Sequence, residues 1–194
     1  MPESIRPIQV VVAYEFSPSA EAALERAVEV ACRAPQHVLH VLTAIDARHG
    51  LPIAPTNHVT YEYAEQIQRM VSERIKALFA DRASASEVQF FVHARIGRPS
   101  EEILKLAEEV GADLVFVGSN GRTGVERMVL GSVSERVVRE ARCPVLVARP
   151  RTYADVPLEH IIEYDHERKA YAPPHRYAYV NNQVINRPND WPLG

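Results

Sequence analysis

Four of the eight glycines, Gly118, Gly121, Gly124 and Gly131, fall within one fourteen-residue stretch, GSNGRTGVERMVLG, with Ser132 next in line. Glycines clustered this tightly call for a backbone explanation. A strand, a glycine-rich turn and a helix can together present free backbone N–H groups and a helix N-terminus to phosphate oxygens. In this reading Gly118 and Gly121 shape the first turn by permitting φ > 0 and close approach, and Gly131 opens the helix. Ser132 then adds a hydroxyl beside the orphan N–H groups of the first helical turn, while Arg122 and Arg127 supply charge to an anion. The plain alternative is an ordinary strand-to-helix connection. The stretch is neither a Walker A loop, since no Gly-Lys-Ser/Thr follows, nor GxGxxG, which disfavours a kinase or a Rossmann dehydrogenase.

The elements that must position this loop are legible from periodicity. Ile8–Tyr14 (IQVVVAY) and His37–Ile45 (HVLHVLTAI) are apolar runs too short for buried helices, and Glu87–Ile96, Asp113–Val117 and Pro144–Ala148 read as three further strands. Between them, Ala20–Cys32, Tyr61–Asp81, Glu101–Val110 and Gly131–Ala141 carry apolar residues at helical spacing. Ser17-Pro18-Ser19 reads as a turn and cap, Ser100 as a cap for Glu101 onward, and 46–60, with Gly50, Pro52 and Pro55, as a loop. Strands alternating with helices predict an α/β domain with an open, mainly parallel sheet and helices on both faces over residues 1–150.

Composition narrows the function classes. The 194 residues suit one domain with an extension, and a net charge of −3 without a basic stripe argues against nucleic-acid binding. Cys32 and Cys143 are too few for a disulfide framework, and no apolar run is long enough for a signal peptide or a membrane span. A reduced, cytoplasmic setting is expected. His37, His40, His49, His58 and His93 lack the short helical spacing of a metal site, so no metal centre is expected and His40 reads as a core histidine with its hydrogen bonds met. Ser119 lacks the G-x-S-x-G frame of a nucleophile elbow. No residue near the loop is an evident base for activating water, so no catalytic residue is expected, and any ATP hydrolysis is expected to be slow.

With Gly118, Gly121, Gly131 and Ser132 in the pattern G-x2-G-x9-G-(S/T), the chain resembles the ATP-binding branch of the universal stress protein family. VVVAYEFSPSA, LHVL, IGRPSEEI, DLVFVGSNGRTG and CPVLVAR extend the resemblance across roughly residues 6–150. It implies five parallel strands in the order 3-2-1-4-5 and ATP, with or without Mg²⁺, across the ends of strands 1 and 4, which is a topological switch point. It also implies Ala13, Glu15 and Val41 at the adenine and ribose end. Val117, Gly118, Gly121, Arg122, Gly131, Ser132, Val133 and Ser134 would form the phosphate end. Glu15 departs from the family's usual Asp, which bears on nucleoside recognition.

Residues 151–194 differ in character. They hold five of the eight tyrosines and the only tryptophan, Trp191, and Asn181-Asn182 suits a tight hairpin near 177–185. The resemblance implies a homodimer through the Pro144–Ala148 edge strand, and the extension is expected to bury Tyr177, Tyr179 or Trp191 against the partner. The rival reading of the whole chain is a dimeric scaffold with an empty or occluded nucleotide site, acting through protein contacts. An enzyme of the wider adenine-nucleotide α-hydrolase-like group is a third reading, for which the lysine-rich or PP-loop chemistry is missing.

Overall fold

In a computed structural model of the chain, the described residues are 6–33, 36–46, 61–80, 82, 88–121 and 130–150. The loop over 47–60, Arg122, Gly124, Arg127 and the extension with its hairpin lie outside them. The strands are β1 (Ile8–Ala13), β2 (His37–Ile45), β3 (Gln89–Ile96), β4 (Leu114–Gly118) and β5 (Val145–Ala148). The helices are α1 (Pro18–Ala31), α2 (Tyr61–Ala80), α3 (Pro99–Val110) and α4 (Ser132–Glu140).

All four strand pairings are parallel, as the alternation of strands and helices predicts, and the order is β3-β2-β1-β4-β5, the one the resemblance implies. Each face of the sheet has its own core, because alternate residues of a strand point to opposite sides. On one side Val10, Val12, Leu39, Val41 and Phe116 pack with Ala20, Leu24 and Val28 of α1 and Ile67, Val71 and Ile75 of α2. On the other, Val11, Ala13, Leu42, Val115 and Val117 pack with Ile103 and Leu106 of α3 and Val137 of α4. Burial on both sides explains why the strands read as continuous apolar runs rather than alternating ones.

The helix starts have local causes. Ser17 caps α1, its Oγ accepting the Ala20 N–H at 3.1 Å, and Pro18 occupies the first turn. Helix α3 departs from expectation: its cap is Arg98, whose side chain makes no capping bond, and Ser100 lies inside the helix. Pro99 sets the start instead, because its fixed φ already suits a first helical residue and its missing N–H needs no acceptor. Asp113 precedes β4 rather than opening it. Its carboxylate accepts the Gln9 N–H at 2.8 Å and pairs with Arg6, clasping the start of β1 to β4.

Candidate functional site

Strands β1 and β4 are neighbours from which the chain leaves toward opposite faces, so their carboxyl ends part and leave a crevice. Val12 is level with Phe116 and Ala13 with Leu42, which brings the ends of β1, β2 and β4 together around it. The result is a cleft of about 470 Å³. Ala13, Tyr14 and Glu15 line it from β1 and the residues that follow, Leu42, Ala44 and Asp46 from β2 and the residue that follows, and Pro99 and Ile103 from α3. Val117, Gly118, Gly121, Gly131, Ser132, Val133 and Ser134 complete it.

The β4–α4 side has the character of an anion cradle. Gly131 is the N-cap of α4 and makes no side-chain capping bond; its own N–H donates to Ser119 O at 2.9 Å. The first intrahelical bond runs from the Glu135 N–H to Gly131 O. Helix geometry therefore leaves the N–H groups of Ser132, Val133 and Ser134 without an intrahelical acceptor, at the positive end of the helix dipole. Ser132 is exposed, whereas Ser134 is buried and donates its hydroxyl to Gly118 O at 2.5 Å. The two serines thus divide between an open hydroxyl and a structural tether.

The glycines serve space rather than unusual dihedrals. Among the described residues the glycines with positive φ are Gly97 and Gly111, so the φ > 0 expected at the loop is not found at Gly118, Gly121 or Gly131. At Gly118 a Cβ would stand 2.7 Å from Ser19 C and 2.8 Å from Ala20 N, backbone atoms of α1. Only glycine lets α1 sit this close to β4. At Gly121 the nearest atom to an added Cβ is Glu15 Oε1 at 4.0 Å, which leaves room beside the backbone.

Glu15 is turned toward that glycine by its neighbour. Phe16 has φ of 66°, a left-handed conformation that costs a non-glycine residue on the order of 1 kcal/mol and reverses the chain between β1 and α1. The ring of Phe16 meets Tyr14 edge to face at 4.9 Å, and Ser17 Oγ donates to the Glu15 carboxylate. Tyr14 is itself held: its hydroxyl donates to Glu21 at 2.8 Å, and Arg74 Nε of α2 donates to the same carboxylate at 2.6 Å. Burial, followed by the bond to Glu21, pushes the Tyr14 phenol well above its usual range, so it stays protonated and structural.

Nine of the eleven residues expected at the site line this cleft. Val41 does not. It is wholly buried against α1 and α2, on the opposite side of the sheet, and β2 contributes Leu42 and Ala44 instead, with Asp46 just beyond its end. Arg122 lies outside the described residues. Sequence reasoning missed Tyr14, Leu42, Ala44, Asp46, Pro99 and Ile103; for Asp46 the available signal was its place directly beyond the long strand-like run of β2. A larger groove of about 660 Å³ between α3 and α4 is lined by Glu101, Lys105, Arg136 and Glu140, among others, and is crossed by the Arg136–Glu101 and Arg136–Glu140 pairs. It reads as a solvated charged face. Among the described residues no three His, Cys, Asp or Glu side chains are grouped to hold a metal ion, and no helix is long and apolar enough to cross a membrane.

Comparison with known proteins agrees with this architecture. A universal stress protein of Methanocaldococcus jannaschii is 33% identical over 129 residues, covering 62% of this chain and 76% of the relative. The solved universal stress protein UspA of Lactobacillus plantarum superimposes with a TM-score of 0.58 at 23% identity, over 74% of this chain and 99% of that one. A universal stress protein solved in complex with cAMP gives 0.54 at 26% identity, over 75% and 99%. The sequence model of the universal stress protein family matches residues 9–149, and the chain belongs to that family.

Proposed function

We propose that this protein holds ATP in the cleft between β1 and β4 and acts as a nucleotide-dependent stress or signalling module. The single observation that carries the reading is the α4 N-terminus: three backbone N–H groups without intrahelical acceptors and an exposed Ser132 hydroxyl face a cleft whose far wall is apolar. A universal stress protein of the same fold was solved with cAMP, which supports a nucleotide as the ligand class. Triphosphate oxygens would meet Ser132, Val133 and Ser134, with Gly121 and Gly131 giving clearance. Where Mg²⁺ accompanies the nucleotide, Glu15 is the carboxylate beside the glycine strip that could share it with the phosphates, the ion keeping several waters. Glu15 is tied to Ser17, and among the described residues no other carboxylate lines the β4–α4 side of the cleft, which fits retention of the nucleotide better than rapid hydrolysis.

The β5 edge and the extension from residue 151 complete the proposal as the surfaces of a cytoplasmic homodimer. Among the described residues β5 is at the end of the sheet, and an edge strand invites pairing with a second copy. Sedimentation of the full chain and of a chain ending at Pro150 tests this arm, and equal dimer stability in both removes the extension from it. Titration calorimetry with ATP, ADP and AMP tests the site. Binding of ATP below millimolar concentration is expected, and absence of heat for all three at millimolar concentration puts the scaffold reading in front.

A further inference from the structure

Strand β2 outlasts β1. Ala13, the last residue of β1, is level with Leu42, and the Tyr14 N–H donates to Leu42 O at 2.8 Å, yet β2 runs on to Ile45, paired with Ile96 of β3. Leu42, Ala44 and Asp46 are spaced by two, so they share one side of this projecting ribbon, and all three line the cleft. Asp46 stands four residues beyond the level of Ala13, about 13 Å along the strand, and two strand spacings away from β4. It lies at the β2 end of the cleft, across β1 from β4. It is also nearly enclosed, with 9% of its surface exposed.

A nucleoside triphosphate is a linear sequence of phosphates, sugar and base. With its phosphates on α4, its base reaches the β2 end, where Leu42, Ala44, Pro99 and Ile103 offer an apolar wall for a ring face and Asp46 closes the end. Resting on the nucleotide reading above, we infer that Asp46 reads the base edge and selects a purine that presents an amine donor there. A carboxylate only accepts hydrogen bonds, so set against the 6-position of the ring it matches the N6 amine of adenine and opposes the O6 acceptor of hypoxanthine or guanine, whose donors lie further round the ring at N1 and, in guanine, N2. Asp46 has a partner in this structure, which the amine would displace or share. This role falls to Asp46 rather than Glu15, whose carboxylate is turned to Ser17 and Gly121.

ATP and ITP test the inference because they share sugar and triphosphate and differ at the base edge. Calorimetry on the full chain is expected to show ATP bound at least about tenfold more tightly than ITP. Asp46→Asn, whose amide can donate to O6, is expected to bring the ratio below about threefold mainly by strengthening ITP. Asp46→Ser, a smaller side chain, guards against a variant that fails to fold, the folding of both variants being checked by a thermal melt. Equal binding of ATP and ITP by the unsubstituted protein, or a ratio unchanged in both variants, overturns the role of Asp46 while leaving nucleotide binding in place. Failure of the unsubstituted protein to bind either nucleotide overturns both.

Discussion

The α3 side of the sheet carries polar groups at two places that use them in opposite ways. At the carboxyl end, backbone donors of α4 face an open cleft. Toward the amino end, polar side chains satisfy one another across three strands. His40 Nε2 lies 2.8 Å from Gln9 Oε1, and His40 Nδ1 lies 3.1 Å from His93 Nε2. The Gln9 oxygen can only accept, so the His40 proton sits on Nε2, leaving Nδ1 to accept from the His93 Nε2–H. Phe91 stacks on His40 at 5.2 Å. The lesson is that a saturated polar chain fastens strands, whereas an unsaturated one is available to a ligand.

The largest effect is expected where the two cores meet the loop, at Gly118. Gly118→Ala drives a methyl group into the backbone of α1, which has no flexible side chain to yield, and should cost about 3 kcal/mol, the upper end of ordinary overpacking. Thermal and urea denaturation would read it. An unchanged midpoint would show that α1 is not packed on β4 as described.

Next comes acid. Burial, and secondarily the charge of His93, lowers the His40 pKa from 6.5 to about 4; burial, and secondarily Arg95, also lowers that of His93, with Glu109 opposing. Between those pH values the unfolded chain takes up a proton at His40 that the folded chain refuses, so stability falls as pH drops from about 6.5 toward 4 and is level above. At 1.36 kcal/mol per unit the ceiling is ~3 kcal/mol, and we expect ~2. Protonated His40 would also turn an N–H on Nδ1 against the His93 donor. Denaturation midpoints from pH 8 to pH 4 should show this limb in the unsubstituted protein and a flatter one in His40→Gln; coincident profiles would remove His40 as its source.

How far the two regions were legible in advance follows from the same physics. The element order and the parallel sheet were readable because buried strands and amphipathic helices leave clear periods, and the glycine spacing marks Gly118, Gly121, Gly131 and Ser132; Ala13, Glu15, Val117, Val133 and Ser134 were expected in the cleft only through the family resemblance. The face of each β2 residue was not: in HVLHVLTAI the polar residues His37, His40 and Thr43 are spaced by three rather than two, so no alternation distinguishes Val41 from Leu42, and the register with β1 was needed to place Leu42, Ala44 and Asp46 in the cleft. The histidine pair was hidden for a related reason. His40 and His93 are 53 residues apart and meet only through the β2–β3 register, which sets Leu42 opposite His93. Gly118 was expected to permit φ > 0 and a close approach; the structure has a close approach, that of α1, without the positive φ, and which element approaches is a tertiary fact.

The smallest expected effect is also the sharpest test of the comparison, since it sets two serines of the same helical turn against each other. Ser134 resembles the saturated region: it is buried, and its hydroxyl is spent on Gly118 O at 2.5 Å. Ser132 belongs to the open region, exposed at the first position of α4. Removing the Ser134 hydroxyl leaves a buried carbonyl short of a donor, so Ser134→Ala should lower folding stability by ~1 kcal/mol. Ser132→Ala leaves the fold intact and should weaken ATP by about 0.5–1.5 kcal/mol, roughly two- to twelvefold, one hydroxyl contact to a phosphate oxygen. Melting curves and calorimetry on the two variants should therefore separate, stability moving with position 134 and affinity with position 132. If Ser132→Ala instead lost stability and kept its affinity, the open hydroxyl would be part of the frame, and the phosphates would have to be held by the α4 backbone alone.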